Sequence, residues 1–261
     1  MPVKTTDNAS SPPADLAQRF REDGFFVYEN MYTQDEVTQM REHVQNIVDN
    51  TDRWPARMFH WGDQDQAAPG SKPTAIQAGH QHDWRFFEWA NDERILNVVR
   101  PLLGDNVAVY NTSVFMKPPL SPGVIPWHQD QIYYAVATEF LVACWVALTD
   151  VTIENGALKY IPASHHHGVL PTQRPTDPAA PAVFDRTIKD VEKLGEVVDV
   201  PLTAGSAVFH HSLTAHYSGP NTVNTQRWGL AMDYMKADYS FSGSGEARRA
   251  YPIVSGQRVS N

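Results

Sequence analysis

Two side chains that could bind one metal ion lie two positions apart in the segment Trp127-His128-Gln129-Asp130. In an extended strand, residues i and i+2 point to the same side, so the imidazole of His128 and the carboxylate of Asp130 can face one point. Two histidines and one carboxylate are the ligand set of non-heme Fe(II) sites that leave positions open for a co-substrate and oxygen. The segment therefore predicts two of these three ligands. A surface ion pair is the simpler alternative.

The third ligand and an anion-binding residue are predicted further along the chain. His216 precedes the turn residues Gly219-Pro220-Asn221, and Arg227 lies eleven residues after His216. Because such a turn can reverse the chain, we expect His216 and Arg227 on adjacent strands that face one cavity. An arginine binds a carboxylate through two parallel hydrogen bonds. A dicarboxylic keto acid could therefore chelate the metal at one end and bind Arg227 at the other, with Ser218 as a further donor. A structural salt bridge is the alternative for Arg227.

The order of these motifs resembles the phytanoyl-CoA dioxygenase family of Fe(II)/2-oxoglutarate oxygenases. The resemblance covers roughly residues 107–234, and the lead-in segment Asp23-Gly24-Phe25-Phe26-Val27 is also similar. The combination of motifs is specific, whereas no single motif would be. The matching segments are Trp127-His128-Gln129-Asp130, Trp145-Val146-Ala147-Leu148-Thr149-Asp150, Glu154-Asn155-Gly156-Ala157-Leu158, Ile161-Pro162-Ala163-Ser164-His165, Ala204-Gly205-Ser206-Ala207-Val208-Phe209 and the stretch from His216 through Ser218 and Asn221 to Arg227.

The resemblance implies a fold, an activity and a set of site residues. The fold would be a double-stranded β-helix of the jelly-roll or cupin-like type. His128, Asp130 and His216 would bind Fe(II), and Arg227 would anchor 2-oxoglutarate. The enzyme would use O2 to hydroxylate a C–H bond of a small polar molecule, with succinate and carbon dioxide as co-products. In related halogenases a small residue replaces the carboxylate ligand, so the presence of Asp130 favours hydroxylation over halogenation.

Four further residues near the motifs are predicted to contact the co-substrate or the substrate. Asn111 and Lys117 precede the iron-binding segment and are candidates for contact with 2-oxoglutarate. Gln129, which lies between two predicted ligands, and Trp145 are candidates for contact with the substrate. A plain surface position is the alternative for the three polar residues.

An aromatic and basic stretch at residues 54–89 is predicted to cover the substrate. Aromatic faces attract cationic groups, and basic side chains attract anionic ones. We therefore expect a lid over a small molecule such as a zwitterion, with Trp54 and Arg57 in contact with it. The alternative is that these aromatic residues pack on the sheet. The stretch and its flank contain Trp54, Trp61, Trp84 and Trp89 together with Arg53, Arg57, Lys72 and Arg85.

Hydrophobic periodicity and turn residues predict helices first and a mainly β core afterwards. We expect helices at 15–23 and 91–103, and a third that begins with the capping pair Thr33 and Glu36. A long irregular segment is expected at 51–79. Strands are predicted at 25–28, 107–115, 140–148, 158–161, 196–200, 206–210 and 228–235. The chain, 1–261, would form one oxygenase domain with a disordered start at 1–13, a helical lead-in and lid at 14–104, a jelly-roll core at 105–236 and a C-terminal extension at 237–261.

The remaining histidines and the cysteine are predicted to be structural. Three consecutive histidines at 165–167 cannot all face one ion on a strand, so we expect a loop at a strand end. Of His210 and His211, one is expected to be buried and hydrogen-bonded rather than a ligand. Cys144 lies in an apolar strand and is expected to be an inert small side chain.

Composition excludes several classes of partner. The 261 residues include 21 basic and 30 acidic side chains, which gives a net charge of −9. This charge argues against a nucleic acid or an anionic membrane as the main partner. The longest apolar run, 140–148, is far shorter than the roughly 20 residues of a membrane-spanning helix. Because no secretory signal is visible and Cys144 is the single cysteine, we expect a cytoplasmic protein.

Two other functions are compatible with the same residues. One is a cupin-type isomerase or hydrolase that uses Zn²⁺ or Mn²⁺ with the same three ligands, in which case Arg227 would have no co-substrate to bind. The other is a non-catalytic jelly-roll binding module, against which the intact ligand set argues. For the oxygenase we expect O2 and a small-molecule substrate as partners, and the sequence leaves the oligomeric state open.

Overall fold

The computed structural model describes residues 15–62, 70–134, 136–137, 141–177, 185–237, 240–241 and 251–256. The α-helices of these residues all lie in the first half of the chain. The predicted disordered segment 1–13 lies outside the described residues. The α-helices are α1 (Leu16–Asp23), α2 (Gln34–Asp49), α3 (Trp84–Ala90) and α4 (Glu93–Leu103).

Capping side chains determine where these helices begin. The predicted capping box of α2 is confirmed: the Glu36 carboxylate accepts from the backbone N–H of Thr33 at 2.8 Å, and the Thr33 hydroxyl accepts from the N–H of Glu36. The predicted helix 91–103 begins two residues late, because Asn91 ends α3. Asp92 caps α4 instead, and its carboxylate accepts from the backbone N–H of Arg94 at 2.9 Å.

Short strands dominate the later part of the described chain, as predicted, and every predicted strand is present with bounds that differ by one to two residues at most ends. The strands are β1 (Phe25–Tyr28), β2 (Phe59–His60), β3 (Ala75–Ile76), β4 (Val107–Lys117), β5 (Ile125–His128), β6 (Val136–Ala137), β7 (Val142–Ala147), β8 (Leu158–Tyr160), β9 (Thr172–Gln173), β10 (Thr187–Ile188), β11 (Val198–Val200), β12 (Ala207–His211), β13 (His216–Ser218), β14 (Arg227–Lys236), β15 (Ser240–Phe241) and β16 (Ile253–Ser255).

Two sheets built from these strands pack face to face. The major sheet has the order β1-β12-β7-β14-β4-β3-β2, with β16 also paired to β4, and the minor sheet has the order β11-β8-β13-β5. Phe25 of the major sheet stacks on Tyr160 of the minor sheet with ring centres 4.4 Å apart. The mainly β jelly-roll fold with N-terminal helices is thereby confirmed.

Strand β7 shows why the apolar run at 140–148 lacks a polar face. Val142, Cys144 and Val146 point to one side of the major sheet and pack against the helices. Trp145 and Ala147 point to the other side and pack between the sheets. Both faces of the strand are buried, so both are apolar. Cys144 is a buried free thiol, as predicted.

The lead-in and the C-terminal extension contribute more to the core than the sequence indicated. The segment expected to be irregular at 51–79 supplies β2 and β3 to the major sheet. The extension supplies β16, which pairs with β4. Besides β14, the long strand β4 also pairs with β3 and β16. Segments distant in sequence join the major sheet in this way.

The prediction that His216 and Arg227 lie on adjacent strands is wrong. His216 lies on β13 of the minor sheet, whereas Arg227 begins β14 of the major sheet. The turn after Ser218 therefore carries the chain across the sandwich instead of folding it back within one sheet. His216 and Arg227 still face one cavity, but from opposite walls.

None of the described helices has both the length and the apolar character that crossing a membrane requires.

Candidate active site

The two predicted histidine ligands are direct neighbours across a strand pair. His128 ends β5 and pairs with His216 on β13. Asp130 does not belong to the strand, because β5 ends at His128 and a 3-10 helix, Asp130–Tyr133, begins at Asp130. That turn still brings the Asp130 carboxylate oxygen Oδ1 to 3.4 Å from Nε2 of His128 and 3.5 Å from Nε2 of His216. The three side chains are therefore brought together as predicted, although the strand geometry used to predict it is wrong.

Backbone carbonyls orient both imidazole rings. Nδ1 of His128 lies 2.8 Å from the carbonyl oxygen of Pro126, and Nδ1 of His216 lies 3.0 Å from that of Thr214. A carbonyl oxygen can only accept, so Nδ1 carries the proton and Nε2 keeps its lone pair for a metal. Burial, together with the neighbouring His128, holds the pKa of His216 well below its ordinary value. The ring is thus neutral, which is the state that binds metals.

The second oxygen of the carboxylate has its own partner. Oδ2 of Asp130 lies 2.8 Å from Nε2 of His210, and Nδ1 of His210 lies 3.0 Å from the Tyr160 hydroxyl. His210 is thus buried and hydrogen-bonded, as predicted. Burial alone would raise the pKa of Asp130, but His216, His128 and His210 hold it well below its ordinary value. The carboxylate is ionised and oriented with one oxygen toward the two histidines.

This donor set fits a mononuclear iron site. The ligand atoms of His128, Asp130 and His216 all lie within 4.8 Å of one another, and no other group of the described residues could hold a metal in this way. Two imidazoles and one carboxylate on one side of a cavity match the facial triad of non-heme Fe(II) enzymes. The hydrogen bonds to Nδ1 and to the second carboxylate oxygen are the supporting contacts that such ligands need.

Arg227 lies buried on the opposite wall of the same cavity. Its Nη2 donates to the carbonyl oxygen of Gly156 at 2.7 Å and to the Ser218 hydroxyl at 2.6 Å. Its Nε donates to the same carbonyl at 3.3 Å, which leaves Nη1 for a ligand. Its guanidinium carbon lies 5.0 Å from the ring centre of Trp145. Burial lowers the pKa of Arg227 to about 10, so the group is charged at neutral pH. The fork is held rigidly, as binding of a carboxylate requires.

Two glycines make room for this arrangement. Gly156 has φ +91°, and a Cβ there would lie 2.6 Å from the carbonyl oxygen of Gly219. The turn that presents the Gly156 carbonyl to Arg227 therefore needs a glycine. A Cβ at Gly229 would lie 1.7 Å from the Trp145 ring, so the indole occupies the space of the missing side chain.

The central cavity, enclosed between the two sheets, has a volume of about 390 Å³. The three candidate metal ligands lie on its minor-sheet side, and Arg227 and Trp145 lie on its major-sheet side. Asn111 also lines it, but its side chain hydrogen-bonds to Asp233, so its predicted contact with 2-oxoglutarate stays a prediction. Ser218 lines it too, but its hydroxyl donates to the Gly156 carbonyl at 2.9 Å and accepts from Arg227. Ser218 therefore positions the arginine, and its proton is already used.

Two predicted polar contacts are not part of the cavity wall. Lys117 is buried, and its ammonium donates to the carbonyl oxygens of Gly123, Ser218 and Gly219. Gln129 is also buried; its amide donates to the carbonyls of residues 168 and 213 and accepts from the N–H of residue 170. Both side chains fix loops through backbone contacts, so the structure contradicts their roles in binding the co-substrate and the substrate.

The predicted tryptophan lid is also wrong in its residues. Trp54 packs against the helical core, Arg57 is exposed, and neither lines the cavity. The same lead-in does reach the cavity at Gln77, Ala78 and Gln81. The reason is that burial of apolar surface favours packing of Trp54, Trp61 and Trp89 on the helical core, whereas Trp84 is exposed to solvent.

The sequence reasoning missed a polar and aromatic wall at the far end of the cavity. Tyr110, Tyr134 and Tyr251 line it together with Asp233. Asp233 lies six residues after Arg227 in a predicted strand, and the even spacing indicates the same face. That signal was present in the sequence. Tyr251 lies in the C-terminal extension, where no pattern pointed to the cavity.

Comparison with known proteins agrees with the site. The family described as Phytanoyl-CoA dioxygenase (PhyH) matches residues 20–228. The chain is similar to peroxisomal phytanoyl-CoA dioxygenase of Homo sapiens, with 26% identity over 233 residues that cover 85% of this chain and 69% of that protein. It is also similar to the solved structure of the non-heme monooxygenase ThoJ in its apo form, with 31% identity, a TM-score of 0.73 and coverage of 93% of this chain and 84% of that one.

A more distant solved structure shows the same fold with groups bound. It is the epimerase SnoN in complex with Fe3+, alpha ketoglutarate and nogalamycin RO, with 21% identity, a TM-score of 0.71 and coverage of 92% of this chain and 97% of that one. The family match spans most of the described chain, including the three candidate metal ligands and Arg227. The chain therefore belongs to the phytanoyl-CoA dioxygenase family of iron- and 2-oxoglutarate-dependent enzymes.

Proposed function

We propose that the protein is a dioxygenase that uses Fe(II), 2-oxoglutarate and O2 to hydroxylate a C–H bond of a small polar molecule, with succinate and carbon dioxide as co-products. One observation carries the proposal. A buried cluster of two histidines and one carboxylate shares a single cavity with a buried arginine that has no acidic partner among the described residues. A metal-dependent isomerase or hydrolase would need the cluster but would have no use for the arginine.

His128, Asp130 and His216 would hold the iron, which supplies oxygen activation when bound. The protein's part is to fix three ligand atoms on one side of the ion and leave the other side to the cavity. The carbonyls of Pro126 and Thr214 keep the protons on Nδ1, so the ligand nitrogens stay available at neutral pH. His210 restrains the carboxylate, so that one oxygen faces the ion.

Arg227 would bind the distal carboxylate of 2-oxoglutarate. Its charge survives burial, and its contacts with Gly156 and Ser218 hold the planar fork in one orientation. A lysine in the same place would present one point charge and could not form the paired hydrogen bonds. The Trp145 ring beside the guanidinium excludes water from this end of the cavity, which strengthens the interaction between the opposite charges.

Asp130 supports hydroxylation as the outcome. With a carboxylate in the ligand set, the place that a halide ion occupies in related halogenases is taken. We therefore expect added chloride or bromide to leave the product unchanged.

The test is co-substrate dependence. Protein reconstituted with Fe(II) without oxygen is then exposed to 18O2, with and without 2-oxoglutarate, across a panel of small polar metabolites. We expect succinate only when 2-oxoglutarate is present, one 18O atom in succinate and one in the hydroxylated product. Asp130→Ala should bind little iron and form no succinate, whereas Asp199→Asn, on the outer strand β11, should behave as wild type.

Other outcomes would identify the alternatives. Turnover of a metabolite without 2-oxoglutarate indicates the isomerase or hydrolase. Failure of the wild-type protein to bind iron indicates a binding module. A product that contains no 18O, formed with stoichiometric succinate, would contradict hydroxylation while leaving the cofactor assignment intact.

A further inference from the structure

One face of β14 runs the length of the central cavity. Residues at alternate positions share this face, and Arg227, Ala231 and Asp233 all line the cavity. Gly229, between them, gives its space to Trp145. At about 3.3 Å per residue, the six residue steps from Arg227 to Asp233 correspond to about 20 Å along the strand. The strand thus carries a cation at one end of the cavity and a carboxyl group at the other.

A bulge in the neighbouring strand turns additional side chains toward the Asp233 end. Asn111 pairs with Asp233, and Val109 pairs with the next residue, Tyr234. Tyr110 is therefore the extra residue of a bulge in β4, between the residues that pair with Asp233 and Tyr234. Bulges of this kind redirect side chains beside binding sites. As a result, the consecutive residues Tyr110 and Asn111 both line the cavity.

Asp233 is held by neutral groups. The side-chain amide of Asn111 and the hydroxyl of Tyr134 donate to its carboxylate. The side chain is only 6% exposed, and no ion pair reaches it from the described residues. Burying a carboxyl group without a counter-ion is costly. A carboxyl group that faces a cavity and has no counter-ion in the protein is a candidate for contact with the ligand that fills the cavity.

2-Oxoglutarate cannot be the partner of Asp233. Its distal carboxylate belongs to Arg227, and a five-carbon diacid that also reaches the metal is too short to extend to the other end of β14. The group that Asp233 contacts must therefore belong to the substrate.

Charge balance in the loaded cavity points to the sign of that group. Fe(II) and Arg227 together match the charges of Asp130 and the two carboxylates of 2-oxoglutarate. Asp233 is the carboxyl group of the cavity wall that this set leaves over. Burial and the charge of Asp130 hold its pKa well above the ordinary value, so it needs a cation beside it to ionise. A cation on the substrate would be that partner, and the aromatic rings beside the carboxyl group would favour the same charge.

Three tyrosines form the surroundings of this carboxyl group. The rings of Tyr110 and Tyr134 have centres 4.5 Å apart, and those of Tyr110 and Tyr251 stack at 5.0 Å. They pack as one cluster with apolar residues behind it. Each also lines the cavity, so the carboxyl group lies at the edge of an aromatic surface.

We propose that Asp233 and the tyrosine cluster Tyr110, Tyr134 and Tyr251 form a substrate subsite for a protonated amine. The subsite names the class of substrate for the proposed function and rests on it. It also assigns the amine-binding role that the sequence suggested for the tryptophan stretch to residues on β4, β14 and their neighbours.

Binding of matched probes tests the subsite without turnover. Protein loaded with Zn(II) and 2-oxoglutarate is titrated with 2-phenylethylamine and with 2-phenylethanol, and dissociation constants are measured by ligand-observed NMR. We expect the amine to bind about tenfold more tightly than the alcohol or better, as charge-assisted hydrogen bonds do. Asp233→Asn should remove that preference, and Asp199→Asn, a matched change on the outer strand β11, should retain it.

A second measurement uses the wild-type protein alone, in case the Asp233→Asn variant does not fold. Co(II) in the metal site should broaden the NMR signals of the bound amine, because the cavity contains both. A wild-type protein that binds the amine no better than the alcohol, or an Asp233→Asn variant that keeps the preference, would overturn the proposal. So would the absence of broadening. Succinate formation is scored separately, so a failed subsite does not count against the oxygenase assignment.

Discussion

At the scale of single residues, the candidate metal site depends on atoms that would not contact the metal. In each of His128, Asp130 and His216, one nitrogen or oxygen faces the site and the other is hydrogen-bonded to the protein. Carbonyl oxygens hold the two histidine rings, and His210 holds the carboxylate. Loss of such a support leaves the ligands in place but lets them rotate, which weakens binding of the metal.

We therefore expect His210→Phe to lower the affinity for Fe(II) by about 10–100-fold. Phenylalanine keeps the ring volume but cannot hydrogen-bond to Asp130. The neighbouring His211→Phe is the control, because that side chain lies on the other face of β12 and does not contact the cluster. Anaerobic titration against a competing chelator gives both affinities. An unchanged affinity in His210→Phe would show that the hydrogen bond to Asp130 Oδ2 is dispensable.

Substitution of Arg227 tests the co-substrate end of the cavity. Arg227→Lys keeps a positive charge but loses the paired geometry, so the KM for 2-oxoglutarate should rise by about tenfold or more. Iron affinity should stay the same, since the residue lies on the opposite sheet. Arg94→Lys, at a half-buried ion pair outside the cavity, should leave the KM unchanged. Equal KM values for wild type and Arg227→Lys would assign the anchor to another residue.

The sequence predicted the side chains that the structure brings together at the cavity, and it failed for polar residues next to them. His128, Asp130, His216 and Arg227 converge there as expected, because the proposed chemistry demands those residue types and the family keeps their order. Their roles as ligands and anchor stay predictions. Gln129 lies between two ligands and points away from them, where it binds backbone groups instead. Consecutive side chains point in different directions, so a residue next to a predicted ligand in sequence need not face the cavity.

At the scale of elements, strand alternation is the rule that positions the site. On β14 it lines up Arg227, Gly229, Ala231 and Asp233, and on β7 it separates Trp145 from Cys144. The sequence predicted these strands because apolar and β-branched residues mark them clearly. It could not predict which strands face each other, because pairing across the sandwich depends on the path of the turns.

Gly229→Ala tests the packing of β7 on β14. The added Cβ would overlap the Trp145 ring, so we expect a loss of about 1–3 kcal/mol in the free energy of unfolding. A displaced Trp145 would also disturb Arg227, and the KM for 2-oxoglutarate should rise. Gly123→Ala is the matched control, since its nearest contact would be an ordinary 3.5 Å. Urea unfolding would show the difference, and equal stability of both variants would contradict the packing account.

At the scale of the whole molecule, buried histidines outside the metal cluster link stability to pH. Burial lowers the pKa of His80 to about 4. Burial, together with His165 and His210, lowers the pKa of His211 to about 3. Between those values and the ordinary value near 6.5, the unfolded chain binds protons that the folded chain does not. The free energy of unfolding therefore falls as the pH drops below about 6.5.

For metal-free protein we expect this fall to reach about 1.4 kcal/mol per pH unit for each such histidine at its steepest. His80→Asn should flatten the dependence between pH 6.5 and 5, whereas His167→Asn, at an exposed position, should not. Chemical denaturation at several pH values measures the slopes. A slope that is the same in wild type and His80→Asn would show that His80 does not titrate in this range.

The bulge at Tyr110 has a consequence for how the substrate wall can change. Because Tyr110 is the extra residue of the bulge, its removal would join Val109 and Asn111 into a regular ladder with the pairings they already make. The alternation of core and cavity residues on both sides of it would be preserved. One insertion or deletion at this position thus adds or removes a cavity side chain without shifting the register of the sheet. Length variation at this single position gives the fold a route to new substrates that leaves the iron and co-substrate sites untouched.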